Sequence, residues 1–249
     1  MTRSRTQASA LSARLAALGA GVIEMPTIRI EPPESYEPLD AAIGRLREYG
    51  VLAFTSVNGV DAFFGRLALA GKDSRALPPI VAAIGPATAE RLAEHGVRAD
   101  CRPATFTGEA LAEALAEQHD LSGVSVLLPR AAEAPPTVVD ALREAGAIVD
   151  EVPAYQTLVG AEPDTETVER LMGGEVDIVT FTSSSTVRGF VAALGRERLS
   201  ALPASVRFAS IGPVTSATAR ELGLTVTAEA AEHTIPGLVE AILHLDTPR

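Results

Sequence analysis

The chain has 249 residues, of which 47% are hydrophobic and 21% charged, and its net charge is −11. This composition is typical of a globular protein. The length suits one large domain or two domains of about 120 residues. The acidic balance argues against nucleic acid as a partner, and no apolar run of about 18 residues is present to cross a membrane. The single cysteine, Cys101, excludes an internal disulfide, and with no secretory signal at the N-terminus it predicts a cytoplasmic protein.

Short apolar runs alternate with amphipathic segments along the whole chain. The predicted strands are 22–25, 51–55, 80–84, 97–101, 124–128, 148–152, 177–181, 206–211 and 224–228. The predicted helices are 6–17, 37–48, 58–69, 87–94, 107–118, 136–144, 164–172, 185–194, 214–222 and 235–243. Near-continuous apolar strands are typical of sheets covered on both faces, and their alternation with helices predicts a parallel, doubly wound α/β fold.

The sequence repeats itself at a constant offset. FTSVNGV begins at Phe54 and FTSSSTV at Phe181, and 181 − 54 = 127. The same offset relates IGPATA at 84–89 to IGPVTS at 211–216, and LGAGVIEMP at 18–26 to AGAIVDEVP at 145–153. Several unrelated landmarks share this offset without a gap, which predicts an ancient duplication and two flavodoxin-like parallel-sheet lobes.

Two extended segments that begin with proline, 26–33 and 153–160, also lie 127 residues apart and are predicted to form a two-segment linker. The predicted organisation is a contiguous lobe at 33–152, a split lobe at 1–27 plus 158–249, and linker segments at 28–32 and 153–157. The counterpart of strand 124–128 would begin at 124 − 127 = −3. We therefore expect the first strand of the split lobe to be missing, as it would be if the start codon were assigned too late.

Polar turns follow several predicted strands, and each turn opens a helix. They are 55–58, 85–88, 130–132, 182–185 and 212–215. In open parallel sheets ligands bind beyond the carboxyl ends of the strands, where helix N-termini favour anions. The candidate ligand contacts are Ser56, Asn58, Thr88, Ser183, Ser184 and Thr215. The alternative is that these side chains only cap helices.

Two arginines and one tyrosine complete the candidate site. Arg3 and Arg130 follow equivalent strands, where each is either a surface residue or a charge-assisted contact to carboxylate or phosphate. Tyr155 lies in a linker segment, where it either packs between the lobes or donates a hydrogen bond to substrate. No Gly-Lys-Ser/Thr, GxSxG or GxGxxG motif occurs and the four histidines are scattered, so neither metal nor cofactor is predicted.

These stretches together resemble the uroporphyrinogen-III synthase family over essentially the full length. They are TR at 2–3, GAGVIEMP at 19–26, FTSVNGV at 54–60, AAIGPATA at 82–89, TGEAL at 107–111, LLPRA at 127–131, VPAYQT at 152–157, FTSSSTV at 181–187 and SIGPVTSAT at 210–218. The resemblance implies a two-lobed enzyme of haem, sirohaem and cobalamin synthesis that needs no cofactor or metal. It implies closure of the octacarboxylate hydroxymethylbilane with inversion of ring D and loss of water.

The resemblance also implies roles for individual residues. The family's motif tyrosine, linked to departure of the hydroxyl, falls on Tyr155, its cleft threonines on Thr88 and Thr215, and a turn serine on Ser183. We expect a monomer. Two rival interpretations remain: a non-catalytic two-lobed protein that binds a small molecule or regulates on the same fold, and a phosphate- or nucleotide-binding enzyme, which the missing glycine-rich motifs disfavour.

Overall fold

The computed structural model describes residues 5–159 and 164–245, with side chains from residue 10 onward in these ranges. The helices are α1 (Arg5–Ala17), α2 (Glu37–Gly44), α3 (Val57–Leu69), α4 (Pro86–Glu94), α5 (Gly108–Gln118), α6 (Thr137–Glu144), α7 (Thr165–Met172), α8 (Ser184–Ser200), α9 (Pro213–Glu221) and α10 (Ile235–Leu243). The strands are β1 (Ile28–Glu31), β2 (Val51–Phe54), β3 (Ile80–Ala83), β4 (Ser125–Ala131), β5 (Ile148–Val159), β6 (Ile178–Phe181), β7 (Arg207–Ser210) and β8 (Val226–Glu229).

The chain divides into two compact units. The contiguous unit is Ile30–Thr157, and the split unit is Met1–Arg29 together with Leu158–Arg249. One sheet has the strand order β1-β5-β4-β2-β3, and the other has the order β6-β7-β8. The pairs β2–β3, β2–β4, β4–β5, β6–β7 and β7–β8 are all parallel. The prediction of a parallel-dominated α/β fold is therefore confirmed.

The pleat of the strands in the contiguous unit separates two apolar layers. On β2, Leu52 and Phe54 face one cluster while Val51 and Ala53 face the other, as a side-chain period of two requires. The neighbouring β4 divides in the same way and is buried on both faces. Val51–Phe54 of β2 and residues 126–128 of β4 therefore read as unbroken apolar runs in the sequence.

The split unit is built around phenylalanines. Phe181 on β6 stacks on Phe208 of β7 with ring centroids 5.8 Å apart, and Phe190 of α8 meets both rings edge-on. Aromatic pairs in these geometries add to the stabilisation that burial alone provides. In the β6–β7 register Ile178 lies opposite Arg207, and this pairing holds the phenylalanine cluster in place.

Two predicted strands differ in the structure. Residues 22–25 form no strand, and 97–101 contribute one bridge, between Cys101 and Ala82. Beside that bridge, the Asp100 carboxylate accepts the Val81 N–H at 2.8 Å, so that a side chain replaces a ladder hydrogen bond. The predicted linker segments 28–32 and 153–157 lie largely within β1 and β5, which are neighbours in the first sheet.

We predict that Gly189→Ala destabilises the protein, because a Cβ built at Gly189 on α8 would lie 2.5 Å from the Thr27 carbonyl oxygen. The expected loss in the free energy of unfolding is about 2–3 kcal/mol, measured by denaturant titration. The matched control is Gly65→Ala on the exposed side of α3, where a Cβ would meet nothing within 4 Å. Helix propensity should make that control more stable by about 0.5–1 kcal/mol, and equal effects of the two changes would refute the packing argument.

Candidate functional site

The polar turns of the contiguous unit follow β2 and β3, and those of the split unit follow β6 and β7. Because paired parallel strands point the same way, their carboxyl ends meet at one edge of each sheet. Gly85 has a φ of 80°, a left-handed backbone that suits glycine, and Pro86 then begins α4. Each edge therefore presents helix N-termini with N–H groups that lack helical partners.

Tyr155 of β5 joins this edge in the contiguous unit. Its hydroxyl lies 3.0 Å from the Ser56 Oγ, and the Asn58 side chain also hydrogen-bonds the phenol. Burial raises the pKa of Tyr155, and the hydrogen bonds from Ser56 and Asn58 oppose that rise. The phenol therefore stays protonated at neutral pH and can act as a hydrogen-bond donor.

Arg130 of β4 is buried, with 4% of the residue exposed. One Nη2 hydrogen is donated to the Pro135 carbonyl at 2.6 Å, and Nη1 lies 3.2 Å from a Glu151 carboxylate oxygen. That approach makes no hydrogen bond, and among the described residues the buried Nε and Nη1 have no hydrogen-bond acceptor. Burial lowers the pKa of Arg130, although Glu151 and Tyr155 favour its charged form, and a guanidinium stays charged in proteins.

Ser56 and Thr88 occupy the first turns of two helices in the same unit. Ser56 is the N-cap of α3, and its Oγ accepts the Gly59 N–H at 3.1 Å. A Cβ at Gly59 would lie 2.8 Å from the Pro129 carbonyl oxygen, so the turn packs directly against β4. Thr88 is the third residue of α4 and is 4% exposed. Ser56 thus serves as a helix cap and as a partner of Tyr155 at once.

The split unit carries the corresponding residues after β6 and β7. Ser183 caps α8 in a capping box with Thr186. The Ser184 hydroxyl lies 2.7 Å from that of Thr218, which ties α8 to α9. Thr215, the third residue of α9, is 5% exposed.

The sequence interpretation identified these positions but missed some of their partners. Glu133 accepts the Thr157 N–H at 3.2 Å, and its charge raises the pKa of Tyr155. Glu151 is the ion partner of Arg130 across the β4–β5 pair. Both acids look like ordinary solvated charges in the sequence, and only strand pairing brings them close. Arg3 lies outside the described residues.

The described residues contain no group of three or more His, Cys, Asp or Glu side chains arranged to hold a metal ion. In the same ranges no helix has the length and apolar character that a membrane span requires. Among the described residues, the groups at the strand ends include the hydroxyls of Ser56 and Tyr155 and the buried guanidinium of Arg130, all of which can donate hydrogen bonds.

Fold and site together define a parallel α/β protein of two compact units, with polar turns at the strand ends of each unit. The family model for uroporphyrinogen-III synthase HemD (HEM4) matches residues 9–240. The chain belongs to this family.

Individual relatives agree with the family match. Over 245 residues the chain is 38% identical to a uroporphyrinogen-III synthase of Synechococcus elongatus, covering 97% of this chain and 92% of that protein. It is 33% identical over 246 residues to the porphyrin biosynthesis protein HemD of Ruminiclostridium josui, covering 98% of this chain and 48% of that protein. A crystal structure of a mutant uroporphyrinogen III synthase from Thermus thermophilus matches with a TM-score of 0.64 at 20% identity, covering 96% of this chain and 94% of that one. That likeness concerns the fold.

We predict that Ser56→Ala raises the pKa of Tyr155 further, because it removes a hydrogen bond that lowers this pKa. The measurement is phenolate absorption as a function of pH. Subtracting the titration curve of Ser56→Ala/Tyr155→Phe from that of Ser56→Ala leaves the contribution of Tyr155, from which its pKa is read. A pKa raised in the folded state also makes the free energy of unfolding fall as the pH rises above the unfolded phenol's value of about 10. Tyr155→Phe should reduce that alkaline loss, and an unchanged titration in Ser56→Ala would refute the contact.

Proposed function

We propose that this chain closes hydroxymethylbilane to uroporphyrinogen III, with inversion of ring D and loss of water, as a cyclising lyase that needs no cofactor. The observation that carries the proposal is the family match over residues 9–240, supported by a relative 38% identical over 97% of the chain. The strand-end donors at Ser56, Arg130 and Tyr155 support a site for an anionic substrate. We further propose that the enzyme acts as a monomer in the cytoplasm.

We propose that the two units are flavodoxin-like lobes descended from one duplicated ancestor and joined by 28–32 and 153–157. The positions of the elements support this, since several pairs agree at an offset of 127. They are β2 with β6, β3 with β7, and α4 with α9. The strand registers agree as well: Val51 pairs with Ile80 in one unit, and Ile178 with Arg207 in the other, each 29 residues apart (80 − 51 and 207 − 178).

The proposed reaction requires the protein to position the reacting atoms of the substrate more than it requires a strong acid or base. The pyrrole nitrogen pushes out the hydroxyl of the hydroxymethyl group as hydroxide, leaving a cation that the substituted carbon of ring D attacks. The bond from that carbon to the methylene of ring C then breaks, and this methylene bonds to the other α-carbon of ring D. That carbon loses a proton, which with the hydroxide makes up the water released. Holding these atoms together lowers the barrier by removing the entropy cost of their encounter. In this proposal Tyr155 donates a hydrogen bond to the departing hydroxyl, which its raised pKa supports because the phenol remains protonated.

Local donors must hold the substrate, because it is an octacarboxylate and the chain has a net charge of −11. We assign this role to Arg130 and to the helix N-termini at Ser56, Thr88, Ser183 and Thr215, with Asn58 and Ser184 in the same turns and Arg3 at the position equivalent to Arg130. The two buried donors of Arg130 that lack acceptors support its assignment.

We expect Tyr155→Phe to lower kcat about tenfold, the effect of losing one hydrogen bond of about 1.4 kcal/mol in the transition state. KM should change little, because the bond acts on the leaving group. The measurement is a coupled assay that separates isomer III from the isomer I that forms spontaneously. Tyr36→Phe is the matched control in the same unit, since Tyr36 contacts Arg66 through its ring face. An unchanged kcat in Tyr155→Phe would remove this residue from the mechanism.

Arg130→Gln should raise KM for hydroxymethylbilane about 10- to 100-fold, because a charge-assisted hydrogen bond contributes about 1.5–3 kcal/mol. Arg75→Gln is the control, since its side chain is 89% exposed and pairs with neighbouring Asp73. Thermal unfolding of both variants separates lost binding from lost folding. If a folded Arg130→Gln enzyme kept the wild-type KM, the carboxylate role would be wrong.

The rival interpretation is a protein that binds the linear tetrapyrrole without converting it. The same coupled assay distinguishes the two, because such a binder would leave only isomer I in the product. Excess isomer III that grows with the concentration of the chain identifies the enzyme.

A further inference from the structure

Strand β5 has an irregular residue next to Tyr155. In the pairing of β4 with β5, Arg130 lies opposite Pro153, whereas Ala131 lies opposite Tyr155. Ala154 is therefore one extra residue on β5, a β-bulge of the kind that changes the direction of nearby side chains. Tyr155 packs against the same apolar cluster as Ala154, although adjacent residues of a regular strand face opposite sides. The bulge thus turns the tyrosine ring toward that cluster.

A carboxylate holds the strand just beyond this bulge. The Ala132 N–H donates to the Tyr155 carbonyl at 2.9 Å. A regular parallel ladder would continue with the Thr157 N–H donating to the Ala132 carbonyl. Here a Glu133 carboxylate oxygen accepts the Thr157 N–H at 3.2 Å. Glu133 is exposed, yet its side chain serves as the acceptor that a backbone carbonyl would supply in a regular sheet.

The same segment is also held on the side of β1. The Gln156 Nε2 donates to the carbonyl of Pro32, one residue beyond the end of β1, at 2.8 Å. Residues 155–157 are therefore held from both neighbouring strands. Loss of the Glu133 side chain would take the acceptor from the Thr157 N–H and loosen the segment that carries the Tyr155 ring.

The charge of Glu133 also acts on the phenol. Burial is the main cause of the raised pKa of Tyr155, and Ser56, Asn58 and Arg130 oppose that rise. The negative charge of Glu133 adds to it. Glu133 therefore favours the protonated phenol, which is the form that donates a hydrogen bond.

We propose that Glu133 is a positioning residue for Tyr155: its carboxylate holds the bulged end of β5 and thereby fixes the direction of the phenol. This inference rests on the proposed function, in which Tyr155 donates a hydrogen bond to the departing hydroxyl. Glu133 acts through Tyr155 and the backbone of Thr157, so its removal should affect turnover only while the phenol is present.

The kinetic test is a double-mutant cycle in the whole chain. Glu133→Ala should lower kcat about three- to tenfold, up to the loss expected of Tyr155→Phe. The combined variant should be no slower than Tyr155→Phe, because two changes that act on one hydrogen bond are not additive. Glu133→Gln retains a carbonyl oxygen for the Thr157 N–H and should recover most of the lost kcat. The matched control, Glu113→Ala at an exposed residue of α5, should leave kcat unchanged.

Two further measurements require no turnover. Exchange of the Thr157 amide hydrogen should be at least about tenfold faster in Glu133→Ala and close to the wild-type rate in Glu133→Gln. The phenolate titration of each variant, minus that of the same variant carrying Tyr155→Phe, gives the pKa of Tyr155. This pKa should be lower in both variants, because both remove the negative charge that raises it.

The three measurements distinguish this inference from the proposed function. If the wild-type chain made no excess of isomer III, the proposed function would fail, and exchange and titration would decide whether Glu133 positions Tyr155. A folded Glu133→Ala enzyme with the wild-type kcat would overturn the inference, as would a loss that adds in full to that of Tyr155→Phe. Unchanged exchange at Thr157 or an unchanged phenol titration would overturn it as well.

Discussion

The parallel ladder is the constraint on which the rest of each unit depends. Once Val51 pairs with Ile80, and Ile178 with Arg207, the strand ends fall at one edge, and the helices that follow must begin there. Ser56 and Gly85 thereby come to the same edge of one sheet, and Ser183 and Gly212 to the same edge of the other. Backbone hydrogen bonding between strands thus brings residues that are far apart in the sequence to one edge of a sheet. No side-chain contact is needed to bring them there.

Capping and ligand contact are compatible at these turns. The Ser56 Oγ accepts the Gly59 N–H and also bonds the Tyr155 hydroxyl, so one side chain stabilises the helix and positions the phenol. A helix start leaves four N–H groups without helical acceptors, and one cap satisfies only one or two of them. The capping hydrogen bonds at Ser56 and Ser183 therefore explain the serines locally while leaving backbone donors at the same edge. The same free N–H groups at a helix N-terminus both require a cap and favour anions.

Local patterns in the sequence predicted the elements that local chemistry determines. The strands at 51–54, 80–83 and 178–181 and the helices that begin at Pro86 and Pro213 follow from apolar runs, turns and proline at the first helical position. Residues 22–25 have three apolar side chains of four, yet they form no strand, and composition alone does not reveal which segments pair in a sheet. The Tyr155–Ser56 contact spans 99 residues. The burial of Arg130 beside Glu151 depends on the β4–β5 register, which only the folded sheet fixes.

The role proposed for Arg130 explains how an acidic chain would favour an anionic ligand. Moving a guanidinium out of water is costly, and Glu151 compensates only in part, because Nε and Nη1 keep no hydrogen-bond acceptor. Folding incurs that cost before any ligand arrives. A carboxylate that reaches these donors then gains charge-assisted hydrogen bonds in a poorly hydrated setting, where they are stronger than at the surface. The net charge of −11 acts over long range and is screened within about 8 Å at physiological salt. In the proposed function the buried guanidinium, only partly balanced by Glu151, sets the local preference.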